Sequence, residues 1–459
     1  MRSFKSIMAP VDMTTGSPWR KIAVFAFPMF LGNIAQQLYN TVDSIVVGRY
    51  VGDLALAAVG SAGPVMFLLI VLFVGISNGA SIMVAQYQGA RDKERLALTI
   101  GNCIVSTGVC AIFVAVLAYF TVRPFLVLLN TPDTIIDWCQ SYLLIILCIN
   151  FGQAYFSILS EVLRGLGDSA SPLIFLSIST ILNIILDIYF VASLGLGVTG
   201  VAIATVISQS VSALLCLIKI MRQREFFRLK PVHFKPNGIY VKKIASLGLP
   251  TGITQAVFSL SMIVVQSLTN SFGELFIAAN VIVMRVDGFV VLPNLSFGTA
   301  MTTYSGQNTG AKLYDRVEKG ARQGTFLVLG ITTIFTALVL LFGHQLMGIF
   351  TSTNELISLS IRCMMIISPG YIAMAVSQSL LGIMRGAGDT ITPLWVAIIT
   401  TVILRVPLAY FLSFITRSAE YPIGRSESVF ISLGVAWVMG GLLAIIFYKR
   451  GKWKEKSVI

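Results

Sequence analysis

The chain has 459 residues, of which 56% are hydrophobic and only 12% charged, with a formal net charge of +13. A soluble domain carries about 25% charged residues, so this composition excludes a water-soluble globular fold and points to lipid as the solvent. The positive charge does not indicate nucleic acid, because its basic residues sit in short segments beside apolar runs, where lipid head groups are the expected partner.

A bilayer-spanning helix needs about 20 predominantly apolar residues. In chain order such runs fall near 22–48, 54–86, 97–121, 135–162, 170–192 and 199–220, then 247–270, 276–305, 322–346, 357–383, 391–414 and 429–448. The first run is long and no small-residue cleavage site follows it, so it reads as a span rather than a cleavable leader. With the first residues on the cytoplasmic side, only Arg49, Arg123, Arg417 and Arg425 fall in outer loops, and Arg285, Arg362 and Arg405 fall within spans. The other basic residues lie inside, eight of them between Lys219 and Lys243. The positive-inside rule therefore predicts cytoplasmic termini.

The chain repeats itself. Leu163-Arg-Gly-Leu-Gly-Asp-Ser-Ala-Ser-Pro172 returns as Met384-Arg-Gly-Ala-Gly-Asp-Thr-Ile-Thr-Pro393, each position 221 later. Gln86-Tyr-Gln-Gly-Ala90 returns as Gln307-Asn-Thr-Gly-Ala311 at the same offset, and Pro28 pairs with Pro250 at 222. Duplication of a hydrophobic half is a common architecture of secondary transporters. The expected fold is an all-α polytopic membrane protein. Its twelve transmembrane helices form two six-helix bundles, related by a pseudo-twofold axis along the membrane normal because both copies of the loop lie on one side. The expected segments are an N-terminal bundle over 1–221, a basic cytoplasmic linker over 222–243 and a C-terminal bundle over 244–459.

Several patterns carry no chemistry. Gly75-Ile-Ser-Asn-Gly79 matches G-x-S-x-G, but within a span instead of at a strand-to-helix elbow. Gly195-Leu-Gly-Val-Thr-Gly200 matches G-x-G-x-x-G without a preceding strand. No Walker-type phosphate loop is present, so any transport draws on an ion gradient. His233 and His344 stand apart, the six cysteines mostly fall inside spans without metal-type spacing, and no catalytic set or cofactor motif is found.

The chemistry is expected where charge enters a span, which costs about 2.5–3.5 kcal/mol on insertion scales. In the first span Asn33, Gln36, Gln37, Asn40 and Asp43 recur at three- and four-residue steps on one face, with Tyr39 beside them. In the fifth, Asn183 and Asp187 are four apart, and Thr205 opens the sixth. Depth counting puts Asp43, Asp187 and Thr205 at one level. An interhelical hydrogen-bond seam explains the amides but not two carboxylates; a hard cation or a shared proton explains all of them. The second half has apolar counterparts there and offers instead Arg285 and Asp287 in span eight and Arg405 in span eleven. Those three are open to a structural ion pair or to substrate binding.

Together these residues resemble the multidrug and toxic compound extrusion (MATE) family. The resemblance rests on Pro28 fifteen residues before Asp43, the Gln-x-x-Gly-Ala end of span two, the Arg-Gly-x-Gly-Asp-x-x-x-Pro loop, Asn183-x-x-x-Asp187 and Thr205, and it covers nearly the whole chain. It implies two bundles forming a V around a cavity. It also implies efflux of amphipathic, cationic organic compounds in exchange for Na⁺ or H⁺, with no cofactor. Asp43, Asn183, Asp187 and Thr205 would bind the ion and Pro28 would be a bending point in span one. Gln36, Tyr39, Asn40, Tyr142, Met284, Arg285, Asp287 and Arg405 are candidates for the substrate cavity. The expected setting is the bacterial inner membrane, as a monomer among lipids. The alternative is a lipid-linked oligosaccharide flippase of the wider superfamily, kept open by Arg285 and Arg405.

Overall fold

The computed structural model describes residues 10–128, 131–149, 151–223 and 225–459. Among them the secondary structure is helical throughout. The first half contains α1 (Pro18–Val46), α2 (Asp53–Gly89), α3 (Lys93–Leu128), α4 (Asp133–Leu144), α5 (Phe151–Gly165), α6 (Ala170–Asp187) and α7 (Gly197–Arg222). The second contains α8 (Gly238–Ser271), α9 (Glu274–Gly310), α10 (Tyr314–Leu341), the short α11 (Gly343–Gly348), α12 (Asn354–Gly386), α13 (Ile391–Ala397), α14 (Val406–Ile415) and α15 (Ser428–Lys449). A π-helical stretch, Ile398–Arg405, joins α13 to α14 into one span.

Ten helical segments are long and apolar enough to cross a bilayer, and α4 with α5, bent by 50°, makes an eleventh. The 37-residue α2 occupies the position of the expected second span. The twelve apolar runs thus correspond to twelve helical segments. Six cysteines are free, four of them buried, as small apolar residues would be.

The repeated loops fold alike. Gly167 and Gly388 both take positive φ, 95° and 104°, which permits the tight helix exit that a side chain would oppose. One residue on, Asp168 and Asp389 cap the next helix. Asp168 accepts from the Ser171 N–H at 2.9 Å and hydroxyl at 2.6 Å, and Asp389 from those of Thr392 at 3.1 and 2.7 Å. Burial pushes the Asp168 carboxyl above the usual carboxylate range, while Ser171 and Lys219, whose Nζ is 3.6 Å away, pull it back. Conservation of these residues across the duplication therefore has a mechanical reason: the sequence Gly-Asp-x-x-Ser/Thr terminates one helix and starts the next.

The chain packs as two compact units. Unit 1 holds Phe27–Gly252, the described residues before Met13, and Val458–Ile459; unit 2 holds Met13–Ala26 and Ile253–Ser457. A linker between the repeats was expected at 222–243. The packing units divide elsewhere, within α1 and α8. Both division points adjoin a proline, Pro28 and Pro250, whose missing N–H removes one rung of the helix ladder.

Each unit anchors the start of a helix by equivalent residues. In unit 2 the Trp19 N–H donates to Gln323 Oε1 at 3.3 Å, and in unit 1 the Asn237 N–H donates to Asn102 Oδ1 at 2.7 Å. The repeated glutamines hold chain ends in the same way. Gln307 Oε1 accepts the Met13 N–H at 3.0 Å in unit 2, and Gln86 Oε1 accepts the Val458 N–H at 2.8 Å in unit 1. Arg316 and Asn308 also donate to the Met13 carbonyl. Gln307→Ala is expected to release this N-terminal segment at a cost of about 1–2 kcal/mol. Limited proteolysis checks it: cleavage between Met13 and Ser17 should become faster than in wild type.

In unit 1 the start of α8 lies against α2 through glycines. A Cβ on Gly248 would sit 2.2 Å from the Gly75 carbonyl oxygen, and one on Gly79 2.3 Å from that of Ile244. The Gly75–Gly79 pair is thus a close helix-packing face of the small-xxx-small kind.

Candidate functional site

Three helices of unit 1 bring the sequence-predicted ion ligands together. Counting at about 1.5 Å per residue, Asp187 stands roughly 25 Å along α6 from the Asp168 loop, and Thr205 stands at the same depth on the returning α7. The Asp43 carboxylate of α1 faces that of Asp187. The Tyr39 hydroxyl, one turn before Asp43, faces Thr205 and Gln209 of α7 and lies near both carboxylates. Tyr142 of α4 closes the same cluster. Asp187 is fully buried, Asn183 is 1% exposed and Tyr39 5%. Asp43 and Thr205 are partly buried.

These groups face one another without satisfying one another. Asp43 Oδ1, both oxygens of Asp187, Asn183 Nδ2, Thr205 Oγ1, Gln209 Oε1 and the Tyr39 hydroxyl are buried and close no hydrogen bond. Deeper along the same two helices the polar groups are paired. Ser179 donates to the Ser208 carbonyl at 2.8 Å, and Ser212 donates to the Phe175 carbonyl at 3.0 Å. The α6–α7 contact therefore contains a true hydrogen-bond seam, and the Asp187 level is different from it. An unsatisfied buried polar group costs about 1–3 kcal/mol, more when charged. Several such groups lie at this one level of unit 1.

The helices also change form here. α1 passes into a π stretch, Val47–Val51, just after Asp43; α6 into Ile188–Ser193 just after Asp187; and α4 into Ile145–Ile149 just after Tyr142. Such widened turns recur at functional sites because they interrupt the regular backbone ladder.

The candidate substrate residues divide. Tyr39 and Tyr142 belong to the carboxylate cluster. Gln36 lines a separate cavity of about 90 Å³ in unit 1, with Pro28, Gly32 and Asn33 of α1, Arg164 of α5 and Leu173 of α6. That volume suits a few waters rather than a drug-sized molecule. Asn40 lies in α1, but its side chain is outside the described residues. In unit 2 Met284 packs against the apolar core. Arg285 is exposed and only two residues from Asp287 on one helix, so the two point to different faces and the Asp287–Arg285 pairing does not form. Asp287 instead accepts from the Tyr371 hydroxyl at 2.7 Å and has Arg405 as electrostatic neighbour.

Sequence reading missed Gln209 and Tyr371. Gln209 stands four residues after Thr205, on the same α7 face, and that spacing was an available signal. Tyr371 gave none, being one aromatic residue among the apolar residues of α12.

The comparisons agree with this geometry. The MatE family model matches twice, over residues 28–189 and 250–411, each match opening on one of the paired prolines. The probable multidrug resistance protein YoeA of Bacillus subtilis is 31% identical over 96% of both chains. The probable multidrug resistance protein NorM of Thermotoga maritima is 26% identical over 96% of this chain and 94% of its own. Among solved structures, the backbone is similar to that of a MATE transporter in the bent conformation, with TM-score 0.89, 23% identity and 97% and 98% of the two chains covered. It is also similar to that of a MOP superfamily transporter from Pyrococcus furiosus, with TM-score 0.87, 22% identity and 100% of both chains covered. The chain belongs to the MATE family of transporters.

Proposed function

We propose that the protein is an antiporter that exports amphipathic, chiefly cationic organic compounds in exchange for Na⁺ or H⁺. The observation that carries this reading is the cluster of two facing carboxylates and five further polar side chains, buried among spanning helices. Two ionised carboxylates in contact repel each other strongly away from water. One positive charge, as a proton or a hard cation among oxygen ligands, relieves that repulsion. Asp43 and Asp187 supply the charge, and Thr205, Asn183, Gln209 and Tyr39 supply neutral ligands.

Coupling then follows from differential affinity. Filling the site neutralises one face of α1 and lets it repack against α6 and α7, with Pro28 as the bending point. Ion and drug must each prefer a different packing, and each must weaken the other's binding by the same factor. The setting is the bacterial inner membrane, with cytoplasmic termini, lipids as neighbours and a single chain as the working unit. The multidrug names of the relatives support drug export over sugar-lipid flipping.

The test is uptake of a fluorescent organic cation by everted vesicles under separate Na⁺ and pH gradients. One gradient should drive accumulation and its collapse should reverse it. Accumulation indifferent to both gradients would refute ion exchange.

A further inference from the structure

The basic segment that joins α7 to α8 has an inner and an outer face. Its inner face is pinned to unit 1, with Phe227 and His233 buried. The Lys230 N–H donates to His233 Nδ1 at 3.0 Å, and His233 Nε2 lies 3.0 Å from Glu94 Oε1 of α3. The fit on α3 is close: a Cβ at Gly101 would sit 2.2 Å from the His233 carbonyl oxygen. Asn102 holds the Asn237 N–H, and the Tyr240 ring meets that of Tyr87 at 6.4 Å between centroids. The outer face carries the charge. Arg222, Arg228, Lys230, Lys235 and Lys242 are exposed and close no ion pair among the described residues. Lys219 and Lys243, by contrast, are engaged by Asp168 and by the Val458 carbonyl. Among the free cations stand Val232 and Ile239, 52% and 68% exposed. At the offset of 222 that pairs Pro28 with Pro250, Lys235 corresponds to Met13, which is fully buried in unit 2. The exposed cation at this position therefore belongs to unit 1 alone.

We propose that this outer face is a docking surface for anionic phospholipids of the cytoplasmic leaflet. The basic side chains meet the head-group phosphates, and Val232 and Ile239 enter the boundary between head groups and acyl chains. This rests on the cytoplasmic placement of the segment and goes beyond lipids as neighbours, because it names the head-group charge and the residues that read it. Two features select this partner. The segment runs from the end of one spanning helix to the start of the next, so its free cations stand beside the head groups. There each Lys or Arg adds to the attraction for an anionic leaflet. Apolar side chains interspersed among cations also suit an interface, where both find a partner. An RNA or an acidic protein segment would engage the cations and leave Val232 and Ile239 in water. The pinned inner face holds the array in place, so little ordering is left to oppose binding. A zwitterionic head group offers the same phosphate with its own ammonium beside it, and the array gains less from it.

Native mass spectrometry tests this on the purified full-length protein, equilibrated in detergent with an equal mixture of phosphatidylglycerol and phosphatidylcholine. Wild type should retain phosphatidylglycerol over phosphatidylcholine by about fivefold or more, the scale of one basic side chain at an anionic surface. Arg228→Gln, Lys230→Gln, Lys235→Gln and Lys242→Gln together should bring the ratio close to unity. Lys319→Gln, Arg322→Gln, Lys452→Gln and Lys456→Gln together remove the same charge from exposed positions of unit 2 and should leave most of the preference. Hydrogen exchange of the amides across 226–242 should be slower in phosphatidylglycerol nanodiscs than in phosphatidylcholine ones. A wild-type ratio near unity, an unchanged ratio in the first variant, or equal loss in both variants would overturn the docking surface. Retention is read without drug or gradient, so a failure of ion-driven export is a separate result. Trypsin cleavage after Arg228 in everted but not right-side-out vesicles checks the cytoplasmic placement independently.

Discussion

Asp187→Asn is expected to reduce gradient-driven export by about two orders of magnitude, the scale of a lost charged ligand worth roughly 3 kcal/mol. Asp43→Asn should do the same, and the double substitution should be little worse than either, because both remove one shared site and their effects do not add. The folded protein should survive. Asparagine keeps the shape of aspartate and removes a buried charge, a change that is neutral or stabilising when the charge has no fixed partner. Thermal unfolding in detergent at or above the wild-type temperature, together with lost transport in vesicles, is the expected pair of results. Undiminished gradient-driven transport in both single variants would sink the ion-site reading.

Gly248→Leu should have the largest effect on folding. A Cβ there meets the Gly75 carbonyl oxygen at 2.2 Å; the oxygen is a backbone atom and the Cβ position is fixed by its own helix backbone, so neither can rotate away. Overpacking by a few methylenes costs about 1–3 kcal/mol where side chains can adjust, and backbone contact leaves less room for that. Gly79→Leu, with its Cβ 2.3 Å from the Ile244 carbonyl oxygen, should act similarly. Gly330→Leu is the control, since nothing lies within 4 Å of a Cβ at that position of α10. Size-exclusion profiles after detergent extraction should show loss of the monodisperse peak for Gly248→Leu and its retention for Gly330→Leu. Equal behaviour of the two would show that the α2–α8 glycine face carries no packing load.

The span pattern and the repeat were legible in the sequence because both depend on local features. An apolar run of the right length makes a spanning helix in any neighbourhood, and Gly-Asp-x-x-Ser/Thr builds its turn from its own atoms. The meeting of Asp43, Asp187 and Thr205 was legible because helix periodicity fixes a face and the alternating direction of spans fixes a depth. What stayed hidden depends on which neighbour a face meets. Gly75-x-x-x-Gly79 resembled a nucleophile elbow by pattern, and only the approach of Gly248 explains it as a packing surface. The divisions within α1 and α8 were hidden because hydropathy does not say that one helix serves two compact units. The prolines beside those divisions were visible, but not what they separate. Asp287 was noticed for its charge, while Tyr371, which holds it, is silent in a sequence rich in aromatics.

In the proposed exchange, drug binding weakens the hold of the Asp43–Asp187 cluster on its cation. The most direct test of this is the release of bound cation on adding an organic cation to the purified protein. Protons are read with a pH indicator in weak buffer and Na⁺ with a selective electrode. About one cation should be released per transporter in wild type, in keeping with reciprocal coupling, and none in the Asp43→Asn, Asp187→Asn double variant. Equal release from the double variant, while it still binds drug, would contradict it.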